Sequence, residues 1–481
     1  MPRPDTSKAT PTPTPSIPTA PPPSRLWLVV LIACAGQFLV VLDVSVVNVA
    51  LPSMRTDLGL TAAGLQWVIN AYAIAFAGFM LLGGRAADLF GRRRMFVVGL
   101  GLFTLASVAG GLAQEGWQLL AARAVQGLGA AVLSPSTLTL LTAAVPVGPA
   151  RTRAVGTWTA VGAAGGAAGG FVGGLLVDLL SWRWVLLINV PIGALVLLCA
   201  CLWLTESRVT DGRARLDLPG AILVTGGLAT LAYGIVQTEE SGWTAPATLT
   251  PLLAGALVLA LFVWWETRAT APLMPLRIFR TRAVSAANAT MALCASTTFG
   301  MWFFMTVYAQ NVLGYTPLQA GLALVPSSAS VIVGSKLSPR LLPRFGARPI
   351  AVTGVLIAAA GFAWQSTMTP DGTYTTAILI PGLLMMFGIG IGSTPLAILA
   401  TTSAPPSEAG LASGLINTSR TMGGALGLSI LSTVAAAWTT DTPTPASLTA
   451  GYAAAFRVAA CVLVATAALM AVWLPGRERK G

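Results

Sequence analysis

The sequence contains no histidine and few charged residues, and each shortage excludes a class of chemistry. Lysine, arginine, aspartate and glutamate make up 9% of the 481 residues, whereas a soluble globular chain carries about 25%. Without imidazole, carboxylates are the side chains left to carry protons near neutral pH. The five cysteines show no metal-ligand spacing, so we interpret them as small packing residues and expect no metal site.

Hydrophobic residues, by contrast, make up 55% of the chain, and this share predicts an all-α membrane protein. Residues 1–24 are rich in proline, serine and threonine, so we expect a disordered tail there, and a second short tail at 475–481. Between the tails lie fourteen candidate transmembrane helices. They are predicted at 26–51, 63–83, 95–113, 118–145, 154–177, 185–204, 218–237, 249–265, 283–313, 318–337, 350–368, 375–400, 411–436 and 454–474.

Basic residues mark alternate loops of this arrangement. If the N-terminus is cytoplasmic, the tails and every second loop hold 23 of the 28 lysines and arginines. This is the positive-inside pattern of the plasma (inner) membrane, with both termini cytoplasmic. The net charge of +12 is therefore explained by topology in the lipid bilayer, and no nucleic acid partner is expected.

Weak internal repetition divides the chain into two halves. Gly162, Gly165–Gly166 and Gly169 of predicted helix 5 recur in predicted helix 13 as Arg420, Gly423–Gly424 and Gly427. We therefore predict six-helix bundles at 25–205 and 283–474, with two linker helices and their loops at 206–282. Such repeats build many secondary transporters, whose substrate site lies between the halves near the bilayer midplane.

Asp43 is the only carboxylate inside a long apolar run, where a charge costs at least about 2.5–3.5 kcal/mol. Arg123 of helix 4 lies at a similar predicted depth, so we expect the two to meet. An arginine favours the charged carboxylate and desolvation favours the neutral one. A cavity that alternately hydrates and buries such a pair therefore suits a proton-coupled carrier. The alternative is a static ion pair that holds helices 1 and 4 together.

Two glycine-rich segments add to this pattern. Residues 84–94 (GRAADLFGRRR) form a short basic loop in which Asp88 can pair with Arg92 or cap helix 3. Two interpretations of this segment are open: a gating loop, or a plain topological anchor. In helix 5, Gly162, Gly166, Gly170 and Gly174 form a stripe of small residues that allows close helix packing. A sliding or hinge surface is the sharper interpretation of that stripe.

These motifs together resemble the fourteen-helix drug:proton antiporter branch of the major facilitator superfamily. Residues 42–52 (LDVSVVNVALP) resemble its first-helix signature, 84–94 the loop 2–3 motif, and 123–131 (RAVQGLGAA) the helix 4 motif. Residues 165–174 resemble the helix 5 antiporter motif, although Gly169-Gly170 replaces its usual Gly-Pro. Residues 181–193 are similar to a further mark of the branch. The resemblance covers nearly all of 25–474.

The resemblance implies a role for each matched position. Asp43 would be the protonation site and Arg123 its modulator. The gating residues would be Gly84, Asp88, Gly91 and Arg92 in the first half and Arg344, Gly346 and Arg348 in the second. The moving interface would contain Gly162, Gly165, Gly166, Gly169, Gly170, Gly173 and Gly174. The energy source would be the proton gradient, with no cofactor.

Pocket candidates are polar or aromatic residues near the depth of Asp43. They are Gln37, Asn70, Tyr72, Phe299, Trp302, Asn417 and Arg420, and Arg420 should face the cavity rather than lipid.

The function expected is export of hydrophobic drugs or antibiotics by a proton-coupled, monomeric antiporter working by alternating access. The same fold would also suit export of an endogenous metabolite or lipid, or nutrient import by symport. An integral membrane enzyme is disfavoured because no nucleophile-with-base or metal arrangement is present.

One prediction follows from the single intramembrane acid. Asp43 alone must serve proton coupling, and no second acid is left inside the spans to balance a second positive charge. We therefore expect neutral or singly charged lipophilic substrates, and poor efflux of a bis-quaternary antiseptic. Efflux assays with matched mono- and bis-quaternary compounds test this, and robust efflux of the dication would contradict it.

Overall fold

The computed structural model describes residues 26–146, 148–206, 216–403, 409–440 and 444–475. Of the two expected tails, only residue 475 is among them. Helices occupy nearly all of the described chain, and no strand occurs within these ranges. The prediction of an all-α protein is therefore confirmed.

The helices follow the order of the predicted spans. They are α1 (Leu26–Leu58), α2 (Ala62–Phe90), α3 (Arg92–Gly111), α4 (Gly116–Ala144), α5 (Pro149–Leu179), α6 (Arg183–Trp203), α7 (Leu218–Ser241), α8 (Pro246–Glu266), α9 (Arg282–Asn311), α10 (Pro317–Phe345), α11 (Ala347–Gln365), α12 (Thr375–Thr402), α13 (Ala409–Ala436) and α14 (Pro445–Trp473). A turn at Ile188 divides α6 into Arg183–Leu187 and Asn189–Trp203, and α12 opens with a π-helical turn, Thr375–Leu379.

Thirteen helices in the described ranges are long and apolar enough to cross a membrane, and α13 is the one of the fourteen outside that group. Their outer surfaces carry large exposed apolar side chains such as Leu105, Leu253 and Leu257. Apolar patches of this kind match the hydrocarbon of a bilayer. The chain is a multi-pass membrane protein.

Several helices run further than their apolar runs predicted. α1 continues through Pro52 to Leu58, and α10 continues past residue 337 to Phe345 with Pro339 and Pro343 inside it. Membrane helices tolerate internal proline because neighbouring helices satisfy the freed backbone groups. Lys336, which the sequence placed at the edge of a span, therefore lies well inside α10.

The packing repeats after eight helices. α1 packs on α5, and α2 and α3 pack on α4; correspondingly, α9 packs on α13, and α10 and α11 pack on α12. α7 and α8 pack on each other, and α7 also contacts α2 and α13. The two linker helices thus cover the junction of α2 with α13 at the side of the molecule.

The helix ends form two faces of the molecule. We call the side of the α2–α3 connection, at Gly91, the basic face, and the side of the α1–α2 connection, at Leu60, the far face. The two halves meet near the far face. There the Gln310 side-chain amide donates to Val49 O at 3.0 Å, and the Asn70 amide donates to Ser429 Oγ at 2.8 Å.

Backbone contact between α5 and α10 completes the closure of the far face. A Cβ added at Gly170 would lie 3.0 Å from Gly321 O, and one added at Gly174 would lie 2.5 Å from Leu318 Cα. These distances leave no room for any side chain at the crossing. Glycine is required here by close approach.

The same two helices separate toward the basic face. About 18 residues make five helical turns, so Gly156 lies on the same side of α5 as Gly174, and Lys336 on the same side of α10 as Leu318. A Cβ at Gly156 would meet nothing within 4 Å, and Lys336 is exposed. The cavity between the halves therefore opens on the basic face.

The crossing predicts opposite outcomes for two alanine substitutions in α5. Gly174→Ala should force α5 and α10 apart at the far face, because overpacking costs about 1–3 kcal/mol. Spin labels at the far ends of both helices, in a cysteine-free background, should show a longer or broader distance distribution. Gly156→Ala is the matched control and should leave the distribution unchanged. Identical distributions in the two variants would show that the crossing does not hold the far face closed.

Candidate functional site

Asp43 and Arg123 meet in the interior of the first half, as their predicted depths required. Arg123 Nη1 donates to Asp43 Oδ2 at 2.6 Å, and the side chains are 0% (Asp43) and 2% (Arg123) exposed. A charge this deep requires a partner, because an unpaired buried ion is far costlier than a paired one. The predicted ion pair is confirmed.

Two amides complete the coordination of the carboxylate. Asp43 Oδ1 accepts hydrogen bonds from Gln126 Nε2 at 2.7 Å and from Asn189 Nδ2 at 2.8 Å. Both amides also reach Ser107 Oγ, at 2.9 Å from Gln126 and 3.4 Å from Asn189. We call Asp43, Arg123, Gln126, Asn189 and Ser107 the carboxylate network; it joins α1, α3, α4 and α6.

Arg123 is held from three further directions. Its Nε donates to Val68 O in α2 at 3.1 Å, and its Nη1 also donates to Gln126 Oε1 at 2.6 Å. The guanidinium lies over the Tyr72 ring, 4.4 Å from the centroid, which is a cation–π arrangement. Arg123 thus ties α2 to the network and faces Asp43 with a fixed orientation.

This arrangement depends on the charge of Asp43. Arg123 Nη1, Gln126 Nε2 and Asn189 Nδ2 all donate to the Asp43 carboxylate, and charge-assisted hydrogen bonds are roughly twice as strong as neutral ones. Adding a proton to Asp43 would remove the ion pair and leave Oδ1 or Oδ2 as a competing donor. Protonation of Asp43 would therefore weaken the attachment of α1 to α4 and α6.

Gln126, Asn189 and Ser107 were not among the predicted site residues. Gln126 and Asn189 lie inside the motifs at 123–131 and 181–193, but neither was predicted to have a role. A signal was present for Gln126, since residues three apart share a helix face and Arg123 was already placed. For Asn189, the signal was a single amide in the otherwise apolar segment of α6.

Of the two alternative contacts predicted for Asp88, near the connection of α2 with α3, the structure has one. Arg92 Nη2 lies 3.4 Å from Asp88 Oδ1, within one helical turn, and Gly91 has a φ of +106°, which favours glycine. The alternative, that Asp88 caps α3, is wrong. The Glu206 carboxylate takes that position and accepts from Arg93 N at 3.2 Å and Arg94 N at 3.0 Å. An acceptor so distant in sequence cannot be found from local spacing.

The other predicted gating residues lie near the basic-face ends of α2, α10 and α11, and of these only Gly346 lies between helices. Gly84 approaches Pro135 of α4, to which an added Cβ would lie 3.6 Å. Gly346 has a φ of +83° between α10 and α11. Arg344 lies over the Phe345 ring, and Arg348 is half-buried in the first turn of α11.

The helix 5 glycines divide between two neighbours. Gly165, Gly169 and Gly173 pack on α1, where an added Cβ at Gly165 would lie 3.0 Å from Phe38 O. Gly162 and Gly166 also face α1, more loosely, with Gln37 and Val41 as their neighbours. Gly170 and Gly174 form the crossing with α10. The stripe therefore packs α5 against both halves of the molecule.

The pocket candidates of the first half, on α1 and α2, are engaged by neighbouring side chains in this conformation. Asn70 is 0% exposed and donates to Ser429, while Tyr72 is 4% exposed and packs on Arg123. The half-buried Gln37 accepts from Ser134 Oγ at 3.2 Å. These three contribute to helix packing here.

Candidates on α9 and α13 lie closer to open space. Phe299 packs against Gly424, one turn beyond Arg420, and Asn417 lies one turn before Arg420. Trp302 is half-buried and packs against the main hydrophobic core, and Arg420 is exposed. No group of three or more metal-binding side chains occurs among the described residues.

Comparison with known proteins bears on this geometry. The family model described as Major Facilitator Superfamily matches residues 33–428. The cephamycin export protein CmcT of Amycolatopsis lactamdurans is 47% identical, over 93% of this chain and 92% of its own. The puromycin resistance protein pur8 of Streptomyces alboniger is 40% identical, over 95% of this chain and 93% of its own.

Solved structures agree on the architecture alone. An auto-inhibited POT family peptide transporter matches with a TM-score of 0.69 at 16% identity, covering 95% of this chain and 99% of its own. A D-xylose–proton symporter matches with a TM-score of 0.66 at 16% identity, over 94% and 98%. At such identities the likeness concerns the fold.

The network predicts strong coupling between its two charges. Arg123→Gln should lower the free energy of unfolding by about 3–5 kcal/mol, because it leaves Asp43 buried without its cation. Adding Asp43→Asn should recover part of that loss, with a coupling energy of roughly 0.5–3 kcal/mol. Unfolding in mixed detergent micelles measures all three variants. Simple additivity of the two single losses would contradict the ion pair described here.

Proposed function

The chain belongs to the major facilitator superfamily, and on that premise we propose that it exports antibiotic-like compounds in exchange for protons. The carboxylate network carries the proposal, since it places one buried acid, with its cation, at the junction of four helices. Export as the direction of transport rests on relatives named for cephamycin export and puromycin resistance, which match nearly the full length of this chain.

We place the basic face in the cytoplasm and the protein in the plasma membrane. The positive-inside distribution of lysine and arginine supports this orientation, with both termini on the cytoplasmic side. In that orientation the cavity opens to the cytoplasm and the far face is closed. A drug would then enter the cavity from the cytoplasm.

Proton coupling follows from two properties of Asp43. Ionised, it holds α1 against α4 and α6 through Arg123, Gln126 and Asn189; protonated, it holds them less firmly. A proton from outside would therefore favour one conformation, and its release to the cytoplasm would restore the other. Arg123 acts as the modulator that makes the ionised state stable in the interior. The energy source is the proton gradient.

The segments Gly84–Arg92 and Arg344–Arg348, at the α2–α3 and α10–α11 connections, would gate the cytoplasmic side. The Asp88–Arg92 contact is long and partly exposed, and exposed ion pairs contribute only about 0–1 kcal/mol. A weak contact of this kind suits a latch that must open in every cycle. The helix 5 glycines would form the moving interface, and the monomer would contain the whole pathway.

Asp43→Asn tests the proposal in everted vesicles energised with a proton gradient. The substrate is first chosen from a resistance panel, including puromycin and a cephamycin, in a host that lacks its own pumps. Wild type should accumulate that compound only when the gradient is present. Asp43→Asn should lose gradient-driven accumulation and retain downhill exchange, because the amide cannot cycle a proton.

Asp57→Asn is the matched control on the same helix. Asp57 lies at the far-face end of α1, where it pairs with Arg183 at 2.6 Å on the surface. This variant should keep gradient-driven accumulation. Gradient-dependent transport that survives in Asp43→Asn would overturn the proton-carrier role of Asp43.

A further inference from the structure

Several basic side chains inside helices belong to no ion pair in the described part of the chain. The ion pairs there join Arg92 to Asp88, Arg123 to Asp43 and Arg183 to Asp57. Lys336 of α10 and Arg420 of α13 belong to none of them, and both are exposed. Within membrane helices, ionisable residues almost always face the bundle interior or a wet cavity, and they usually find a partner.

Arg420 faces the interior between the halves. Met422 and Leu426 pack on the opposite side of α13, in a cluster with α2 and α7. Residues two apart on a helix differ by about 200°, so Arg420 points away from α2 and α7. The Phe299 ring of α9 packs against Gly424, which lies one turn beyond Arg420.

The internal repeat places Arg420 independently. Gly423 and Gly427 pack on α9 as Gly165 and Gly169 pack on α1. In that register Arg420 occupies the place of Gly162, whose nearest neighbours are Gln37 and Val41 of α1. Where the first half has a glycine, the second half has a guanidinium.

Lys336 faces the same space from α10. It lies on the helix side of Leu318, which touches α5 at the far face, and a Cβ added at Gly156, on the corresponding side of α5, would meet nothing within 4 Å. Its neighbours Ser335 and Ser338 bond to α12 carbonyls on another side of α10. At 1.5 Å per residue, Lys336 and Arg420 each lie roughly 14–17 Å from the basic-face ends of their helices.

The charge balance of this cavity is therefore positive. Asp43 lies at 0% exposure behind Arg123, so it offers no counter-charge to the open space. The charged residues nearer the basic face are mostly arginines, including Arg85, Arg340 and Arg344, with Asp88 engaged by Arg92. A positive cavity with apolar walls repels cations and attracts anions.

We propose that the cavity binds amphiphilic monoanions, with the carboxylate of the substrate held by Arg420 and attracted by Lys336. This rests on the export function proposed above and adds that the exported compounds are negatively charged. A guanidinium matches a carboxylate with two parallel hydrogen bonds, whereas an ammonium offers a point charge. Phe299 and Asn417 lie beside Arg420 to receive the apolar body and a further polar group.

A pair of probes that differ only in charge tests the assignment. Pyrenebutyric acid is a fluorescent monoanion at neutral pH, and its methyl ester is neutral. Purified wild-type protein in nanodiscs should bind the acid more tightly than the ester. Arg420→Gln should weaken binding of the acid about tenfold or more, as expected for a lost hydrogen bond between charged groups. It should leave binding of the ester unchanged.

Three further variants sharpen the result. Arg420→Lys should recover part of the affinity for the acid, because charge returns without the planar fork. Lys336→Gln should weaken binding of the acid by a smaller factor than Arg420→Gln. Arg457→Gln, which removes an exposed arginine from α14, is the matched control and should change neither probe.

The outcomes separate this proposal from the export function. Equal binding of acid and ester by wild type, or equal loss of both in Arg420→Gln, would overturn the anion site. The binding measurement needs no proton gradient, so it decides the matter even if vesicles transport neither probe. Absence of gradient-driven transport of any panel compound, with acid-selective binding intact, would instead count against the proposed export function.

Discussion

The buried charge of Asp43 is the constraint on which the first half of the molecule depends. A carboxylate with no exposed surface must be matched by a cation and by hydrogen-bond donors, or the bundle loses more than its packing supplies. Arg123, Gln126 and Asn189 meet that requirement from two helices, and Ser107 orients the two amides from a third. The relative placement of α1, α3, α4 and α6 is therefore fixed by one side chain.

The junction between the halves is built on a different principle. Near the far face, α5 and α10 approach through glycine, so the contact is backbone against backbone. Its strength comes from shape and dispersion, which neither a proton nor salt changes directly. The carboxylate network thus depends on charge, whereas the glycine crossing that closes the far face depends on shape.

The sequence predicted the fold well because hydrophobic runs and the distribution of arginine report directly on a bilayer. It also predicted the Asp43–Arg123 pair, since helical rise converts sequence position into depth. It failed where contacts depend on side-chain direction or on distant partners. Glu206 at the start of α3 and Asn189 beside Asp43 are of that kind. The predicted span ended at residue 337, directly after Lys336, because Pro339 and Pro343 disguised the continuation of α10.

The pocket was the least predictable part. Polar and aromatic residues at the right depth are easily listed, but depth alone cannot say which side of a helix they occupy. Asn70 and Tyr72 turned out to be engaged in packing, whereas Arg420 faces open space. For Arg420 the signal was its charge, because an arginine inside a membrane helix is expected to face a cavity rather than lipid.

One hydrogen bond joins α1 to α5 beside the carboxylate network. Ser45, two residues from Asp43, donates its hydroxyl to Gly166 O at 2.7 Å, and three glycines of α5 lie flush against α1 around it. α1 and α5 are thereby joined along their length, while α1 meets α4 and α6 through the charge of Asp43. Loss of that charge would therefore act on α1 and α5 together, and α5 ends at the far face in its crossing with α10.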